Sequence, residues 1–394
     1  MAANDHQGRG RINRLSDYPT FSDTEMQRRR EALERVREQA GVDRLLIYGA
    51  ERAGSAVQWL TGWPVTREAA VIVEPHERDT MFVQFYNHLP LARRLASAAD
   101  VQWGGESTIG AVAAELTRRG GADQRLGVVG PLPFGAADAL RRGNVELVNC
   151  GPAYTALRLI KSPEELDWLR AGARYCDAGM TALGESLRPG LSEHDLADIV
   201  ERAYVPQGGT TTIHYFGVTS MHAPDQCVPA QFTSGRTVAA GDVVTLELSA
   251  AHHGYAGQVL RSFAVAEAPT ALYRALHDVA DAAFDAVVAT LRDGVSCDEV
   301  IAASGIIEEA GFTTCDDLVH GYGGGYLPPV LGSASRPAGA VPALTFKAGM
   351  TVVVQPNIVT PDGKAGVQTG QLVVVTATGA ESLHAVPRGF RVVG

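Results

Sequence analysis

Short hydrophobic runs alternate with helical patterns along the first part of the chain. Apolar positions at helical spacing over residues 23–39 predict an amphipathic helix. Apolar runs bounded by polar or turn-forming residues predict strands. These runs cover residues 44–48, 69–73, 81–85 and 125–129, with a predicted helix at 89–98. Alternation of strands and helices of this size indicates an α/β domain, which we place at residues 1–155.

A helix-start signal marks the passage into the second part of the chain. Ser162 suits an N-cap, Pro163 suits the first helical turn, and Glu164 and Glu165 complement the helix dipole. Residues 157–165 are therefore predicted to connect the first domain to a new helix. We assign residues 156–394 to a second domain.

The second part of the chain contains an internal repeat. Residues 187–192 recur as 291–296, residues 213–217 as 319–323, and residues 240–247 as 348–355, at offsets of 104, 106 and 108. Each repeat is predicted to contain two helices joined by a glycine turn, followed by Val-rich strands. A pseudo-two-fold relation would place His214 opposite His320 and Glu247 opposite Gln355. A central cleft between the repeats is the natural place for a ligand.

Composition narrows the functional classes. The 394 residues are 45% hydrophobic and 20% charged, and the formal charge of −10 speaks against nucleic-acid or anionic membrane partners. No apolar run reaches the roughly 20 residues that cross a membrane, and the polar residues 1–14 do not resemble a secretory signal. Five cysteines without a Cys-x-x-Cys pair indicate reduced thiols in a cytoplasmic protein.

The ordered motifs of this chain resemble the creatinase/prolidase/methionine aminopeptidase family, whose fold is called pita-bread. The resemblance rests on residues 59–62 followed by Arg67, and on residues 160–164, 241–263, 320–323 and 349–356. It implies an α+β protein. A creatinase-like N-terminal α/β domain would precede a C-terminal pita-bread catalytic domain that contains the pseudo-two-fold repeat.

The resemblance also shows where metal ligands would lie. The metallopeptidases of that family hold two divalent ions with two Asp, one His and two Glu. The corresponding positions here are Glu247, Gln258, His320, Gln355 and Gly370, or Gln371 in the last place if the alignment slips by one. Hard divalent cations need anionic oxygen ligands, so we expect no metal and no other cofactor. Without a metal there is no metal-activated water, and the metallopeptidase mechanism is not expected.

Creatinase offers a second implication, because it cleaves a C–N bond of a small guanidino acid without a metal. Its catalytic histidine lies in the loop before the first Gly-Asp hairpin, and His222 is the matching residue here. Histidine suits acid/base chemistry because its ordinary pKa is near neutral pH. Leu260 and Gln355 replace glutamates of creatinase, which speaks against creatine and for a different small polar metabolite.

Two more residues join His222 as catalytic candidates. His320 lies in a glycine-rich turn and would donate to a substrate oxygen or anchor that turn. Glu247 would orient a water or bind a cationic group. The structural alternatives are a backbone contact for His222 and a salt bridge to Arg261 for Glu247.

The substrate-binding candidates are polar residues of the same motifs. Gln258 and Gln355 would give neutral hydrogen bonds to an amide, imide or acid, or would fill a lost metal cavity. His214 would line the cleft or be buried in a strand. Tyr322 would donate a proton or pack, and Arg261 completes the set.

Arg67 is a candidate from the first domain. In creatinase-like enzymes the N-terminal domain of one subunit covers the active site of its partner and supplies an arginine there. Arg67 follows Thr61 and Gly62 at that position and would hold a substrate carboxylate in a bidentate fork, which requires a homodimer. The alternative is a surface ion pair with Glu68 or Glu74.

Together these features predict a cytoplasmic, homodimeric, metal-independent hydrolase. It would cleave an amide, amidine or imide-like C–N bond of a small metabolite by histidine acid/base catalysis. A lyase or isomerase on the same scaffold would need the same residues. A non-catalytic pita-bread module that binds a partner also remains open.

Overall fold

A computed structural model describes residues 18–51, 53–75, 77–120 and 124–394. The polar N-terminal stretch 1–14, for which the sequence predicts no secretory signal, lies outside the described residues. The chain forms two compact units, residues 1–154 and 155–394. No helix of the described residues is long and apolar enough to cross a membrane.

The first unit is an α/β structure around a six-stranded sheet. Its strand order is β4-β3-β2-β1-β5-β6, antiparallel between β1, β2 and β3 and parallel elsewhere. Its helices are α1 (Asp23–Ala40), α2 (Ala56–Thr61), α3 (Leu89–Leu95), α4 (Thr108–Gly120) and α5 (Phe134–Arg142). Its strands are β1 (Arg44–Ala50), β2 (Glu68–Val73), β3 (Asp79–Val83), β4 (Ala99–Trp103), β5 (Arg125–Val129) and β6 (Glu146–Asn149).

The predicted elements of this unit are confirmed, with one shift at β3. The strand begins at Asp79, two residues before the predicted start, and Phe85 is exposed. The reason is an ion pair that a hydrophobicity pattern does not reveal. Arg30 binds the carboxylate of Asp79, which lets this polar residue enter the buried sheet.

The second unit consists of two helix-and-strand repeats. After α6 (Gly151–Leu159), its helices are α7 (Pro163–Ser186), α8 (Glu193–Tyr204), α9 (Ala271–Thr290), α10 (Cys297–Ala303) and α11 (Ile306–Glu309). The strands of the first repeat are β7 (Thr210–Ser220), β8 (Asp242–His252), β9 (Tyr255–Ala256) and β10 (Val259–Val265). The remaining strands are β11 (Thr313–Thr314), β12 (Val319–Tyr322), β13 (Tyr326–Leu331), β14 (Thr351–Val354), β15 (Asn357–Val359), β16 (Gly366–Gln368), β17 (Gly370–Val375), β18 (Ala380–Ser382) and β19 (Arg391–Val393).

One large sheet joins the two repeats. Its main path is β13-β12-β14-β17-β10-β8-β7, and β11, β15 and β16 form a separate three-stranded sheet. One core cluster packs α7 and α8 against β7, β8 and β10 of the first repeat. Another packs α9 and α10 against strands that include β12, β14 and β17 of the second repeat. Each repeat thus covers one face of its strands with its own helices.

Local signals at the helix starts are confirmed. Ser162 caps α7 in a capping box with Glu165, and Pro163 is the first helical residue. The predicted connector is shorter than expected, because α6 continues to Leu159.

The repeat itself is visible in matching hydrogen bonds. Ser192 and Ser296 each cap the second helix of their repeat in a capping box. The N–H of Gly190 donates to Val238 O at 2.8 Å, and the N–H of Gly294 donates to Phe346 O at 2.9 Å.

The strand register locates the pseudo-two-fold axis and corrects one predicted equivalence. Leu260 of β10 pairs with Gly370 of β17 across the middle of the sheet. Glu247 and Gln355 lie on opposite sides of this pair, as the repeat predicts. The prediction that His214 corresponds to His320 is wrong. Tyr215 pairs with Glu247, and Leu318 accepts the N–H of Gln355, so Leu318 is the equivalent of Tyr215. The match of residues 213–217 to residues 319–323 is therefore three residues out of register.

Candidate functional site

A row of side chains crosses the inner face of the large sheet. Glu247 pairs with Leu260, which pairs with Gly370, and Gln355 follows β14 next to Gly370. Directly opposite residues of antiparallel strands point to the same face, so these positions share one surface. The alternate residues of β8, such as Leu246 and Leu248, pack into the helical core on the other face. The two-residue period of the strands therefore separates the site from the core.

Hydrogen bonds connect the polar members of this row from one repeat to the other. Gln258 Nε2 donates to Glu247 Oε1 at 2.5 Å and lies 3.3 Å from Gln355 Oε1. His320 Nε2 lies 3.1 Å from the same Gln355 oxygen, and its Nδ1 lies 3.2 Å from Gly321 O. Gln258, Gln355 and His320 are buried, whereas Glu247 is partly exposed. Glu247 is thus the end of the hydrogen-bonded row that a ligand can reach.

Burial leaves this row with little charge at neutral pH. It raises the pKa of Glu247 to about 8, with a further contribution from the negative charge of Asp316 and an opposing one from Gln258. Burial also lowers the pKa of His320 to about 4. The row therefore contains mainly a carboxylic acid, two amides and a neutral imidazole.

A neutral His320 fixes the direction of these hydrogen bonds. If Nδ1 carries the proton and donates to Gly321 O, Nε2 has only a lone pair to offer. Half-turns of the amides of Gln355 and Gln258 then present an N–H to Nε2 and an oxygen to the protonated Glu247. In this arrangement each contact along the row joins a donor to an acceptor, and Glu247 is a proton donor.

The residues of this row do not fit a pair of divalent cations. A Cβ at Gly370 would lie 2.5 Å from Val354 O and 2.7 Å from Gln355 Cα, so no ligand side chain fits there without backbone movement. Gln371, the alternative from a shifted alignment, faces away and binds Arg261 and Ser382. Within the described ranges, no three His, Cys, Asp or Glu side chains form a group that could hold a metal. Two amides and one carboxyl group supply too little negative charge for a pair of hard cations.

Aromatic and acidic residues surround His320. The ring of Tyr326 stacks on the imidazole with centroids 4.0 Å apart, and its hydroxyl donates to Asp317 Oδ2 at 2.8 Å. Tyr322 lies edge-on to His320, and burial raises the pKa of its phenol. Tyr322 is therefore brought to the site as a packing residue that keeps its proton.

Three residues near the row were not identified from the sequence: Asp316, whose charge acts on Glu247, and Asp317 and Tyr326 beside His320. A signal existed for each, because the two acids immediately precede the strand that carries His320 and Tyr326 follows its glycine turn. The β12–β13 pairing, which brings Tyr326 back beside Tyr322, could not be read from the sequence.

A buried arginine fixes the glycine turn between β12 and β13. Arg158 Nη2 donates to Gly323 O at 2.7 Å and to Gly324 O at 2.8 Å. Gly323, Gly324 and Gly325 all have positive φ angles, which residues with a Cβ rarely adopt. The turn positions both the strand of His320 and the strand of Tyr326.

His222 is not brought to this row. Ser220 pairs with Asp242, five residues along β8 from Glu247, which corresponds to about 17 Å of strand. The His222 side chain is 62% exposed, and its Nε2 lies 3.1 Å from Glu267 Oε2. The loop returns to β7 at Ala230, whose N–H donates to Phe216 O. The prediction that His222 works beside His320 and Glu247 is therefore corrected.

His214 also faces away from the site. It pairs with Leu248 on the helix-covered face, and its Nδ1 lies 2.9 Å from Glu201 Oε1 of α8. Its assignment to the cleft was wrong, because the motif match made His214 the equivalent of His320 and the observed register of β7 does not.

Arg261 is a structural residue of the opposite face. Its guanidinium donates to five oxygens, none of them a carboxylate. These acceptors are the carbonyls of Leu260, Gly370, Val386 and Pro387 and the side chain of Gln371. Neither substrate binding by Arg261 nor a salt bridge to Glu247 is compatible with this geometry.

Arg67 belongs to the first unit and is exposed just before β2. The alternative ion pair with Glu74 does not form, because Glu74 binds Arg44 and Arg119. Participation of Arg67 in a partner's site stays a prediction.

Comparison with known proteins gives a consistent picture. Residues 167–377 match the profile of metallopeptidase family M24. An uncharacterized hydrolase/peptidase from Sinorhizobium fredii is 29% identical over 50% of this chain and 52% of its own length. The chain thus spans about half the length of that relative. Creatinase from Bacillus sp. is 24% identical over 94% of this chain and 93% of its own.

Solved structures support the fold. An Xaa-Pro dipeptidase from Bacillus anthracis matches with a TM-score of 0.78 and 23% identity, over 93% of this chain and 100% of its own. The pita-bread architecture expected from the motifs is confirmed by this match and by the internal pseudo-two-fold. Since the family profile covers more than half of the sequence, the chain belongs to metallopeptidase family M24.

Proposed function

We propose that the protein is a hydrolase that cleaves a C–N bond of a small polar metabolite without a metal ion. The observation that carries this proposal is the hydrogen-bonded row from Glu247 to His320 at the positions where the family resemblance places metal ligands. Family membership supports hydrolysis, and the donor set supports a mechanism that uses protons instead of a Lewis acid.

Glu247 is the proton donor in this proposal. Its partial exposure lets it reach a ligand, and its raised pKa keeps the proton available at neutral pH. Protonation of the leaving nitrogen would make it a better leaving group. Gln258 orients the carboxyl group, and Gln355 links it to His320, so these three residues position the donor.

Asp316 is the proposed partner that activates water. Its negative charge contributes to the raised pKa of Glu247, so the two carboxyl groups are close enough to interact. Two interacting carboxyl groups that hold different protonation states can divide the roles of acid and base. The homodimer, with Arg67 binding a substrate carboxylate across the interface, is retained as part of the proposal.

The test is a turnover screen with the purified 394-residue chain in excess chelator. The panel contains N-acyl amino acids, amidino acids, cyclic imides and Xaa-Pro dipeptides, and amine release is measured by mass spectrometry. We expect turnover in one of the non-peptide classes. Glu247→Gln should lower kcat/KM by about 100-fold or more, the range for loss of a general acid.

Two further variants sharpen this test. Glu267→Gln is the matched control, because this exposed carboxylate lies beside His222 and outside the row. His222→Ala distinguishes the two histidine assignments: retained activity agrees with the geometry, and a large loss restores the original role of His222. Activity that requires added Mn²⁺ or Co²⁺ would overturn metal independence. Saturable binding without turnover would identify a binding module.

A further inference from the structure

Two cysteines from different repeats meet beside the candidate site. Cys227 lies in the loop between β7 and β8, and Cys315 lies between β11 and β12, immediately before Asp316. The two thiols are within hydrogen-bonding reach of each other. Cys315 is exposed and Cys227 is half-buried.

One asparagine fixes the backbone of both cysteines. Asn357 Oδ1 accepts the N–H of Cys315 at 3.2 Å, and Asn357 Nδ2 lies 3.3 Å from Cys227 O. Asn357 is fully buried on β15. The carbonyl of Cys227 also packs closely against Gly366, where a Cβ would lie 2.1 Å from it. The approach of the two cysteines is therefore built into the contacts of β15 and β16.

The other cysteines have different surroundings. Cys150, Cys176 and Cys297 are buried. Cys176 lies against Ala250, and the Cys297 thiol donates to Leu344 O at 3.3 Å. An oxidant in solution therefore meets Cys315 first, and the nearest second thiol is Cys227.

We propose that Cys227 and Cys315 form a reversible dithiol/disulfide site that responds to peroxide. Cys315 attacks the peroxide as its thiolate and becomes a sulfenic acid, with release of one water. The Cys227 thiol then condenses with this sulfenic acid, which forms the disulfide and releases a second water. Two thiols are oxidised, one peroxide is reduced, and a thiol reductant reverses the reaction by exchange.

The roles of the two cysteines follow from their surroundings. Burial and the neighbouring thiol raise the pKa of Cys227 to about 11, so it remains a thiol until Cys315 has reacted. The disulfide would tie the β7–β8 loop of the first repeat to the residue before Asp316 of the second. It would thus constrain the position of Asp316 beside the Glu247–His320 row.

The test uses the full chain, fully reduced and exposed to stoichiometric hydrogen peroxide. Remaining thiols are blocked with N-ethylmaleimide, and the digest is analysed by mass spectrometry. We expect a mass loss of about 2 Da. A cross-linked peptide pair should contain residues 227 and 315, and dithiothreitol should restore both alkylated peptides.

Single substitutions test the order of events. Cys227→Ser should abolish the cross-link, and a second equivalent of peroxide should then oxidise the sulfenic acid of Cys315 to the sulfinic acid. Cys315→Ser should leave Cys227 alkylated. Cys297→Ser is the matched control and should form the disulfide like the unsubstituted chain. Full alkylation of both residues after peroxide, or sulfinic acid at Cys315 at the same rate with and without Cys227, would overturn the proposal.

Discussion

The two repeats of the second unit share their scaffold and differ in what they present to the inner face. Ser192 and Ser296 cap equivalent helices, and equivalent turns make equivalent backbone hydrogen bonds. On the inner face, however, Glu247 of the first repeat corresponds to Gln355 of the second. Within the row, the first repeat thus contributes the carboxyl group of Glu247 and the amide of Gln258, whereas the second contributes the amide of Gln355 and the imidazole of His320.

This difference shows how a duplicated fold acquires an asymmetric site. Helix caps and strand ladders depend on local backbone chemistry, and each repeat needs them to bury its own core. The polar row on the inner face carries no such requirement, because its side chains bond mainly to each other. Asymmetry on the inner face lets a single carboxyl group, Glu247, lie at one end of the hydrogen-bonded row.

The largest expected effect on stability concerns Arg261 and its hydrogen-bond partner Gln371. Arg261→Met would remove the donor of two buried carbonyls, Leu260 and Gly370, and of two partly buried ones, Val386 and Pro387. We therefore expect the free energy of unfolding to fall by about 4 kcal/mol. Gln371→Leu removes one acceptor of Arg261 and one donor to Ser382, and should cost about 1 kcal/mol. Urea denaturation measures both. A loss below about 1 kcal/mol for Arg261→Met would contradict the structural role.

Gly370 should be the next most sensitive position. Gly370→Ala places a methyl group against Val354 O and Gln355 Cα, and we expect a loss of about 3 kcal/mol from overpacking. Gly379→Ala is the matched control, since its Cβ would meet nothing within 4 Å. Equal thermal stability of the two variants would show that the centre of the sheet is looser than the structure indicates.

The carboxyl group of Glu247 predicts a pH dependence of stability. Its folded pKa is raised from 4.5 to about 8, so the folded state binds the proton more tightly than the unfolded state. Its stabilising contribution is complete below pH 4.5 and is lost as the pH rises through about 8. We expect a change of about 2 kcal/mol, because the partly exposed group is screened by water.

The comparison for this prediction is Glu247→Gln, which cannot titrate. Denaturation curves between pH 5 and pH 9 should show a steeper decline for the unsubstituted chain than for the variant. Parallel curves would mean that Glu247 ionises normally.

The smallest effect should be the same in both repeats. Ser192→Ala and Ser296→Ala each remove a side-chain acceptor from a helix N-terminus, and each should cost about 1 kcal/mol. The variants Ser192→Thr and Ser296→Thr keep the cap and should stay close to the original stability. A cost confined to one repeat would show that the two caps are not equivalent.

The sequence predicted those features that depend on neighbours along the chain. The N-cap at Ser162 and the strand at β5 both follow from local residue types and their spacing. The equivalence of Glu247 and Gln355 followed from an ordered set of matches. These features require no knowledge of which strand lies beside which.

The candidate site was predicted only in part, because the face on which a strand residue lies depends on the register. Glu247 pairs with Leu260, so Arg261 must point to the other face. His214 was misplaced by a three-residue error in a short motif match. His222 was misplaced because its loop begins at the end of β7, five residues along the sheet from the position of Glu247. Burial, which sets the pKa values of Glu247 and His320, also depends on the whole fold.

The close packing of Gly370 also bears on the direction in which such a site can evolve. An acidic residue at this position would collide with the main chain of β14 before it could contribute an oxygen to any ion. A movement of β14 would therefore have to accompany such a substitution. A metal ligand at position 370 can therefore be gained only through two linked changes, and a single point mutation does not supply one.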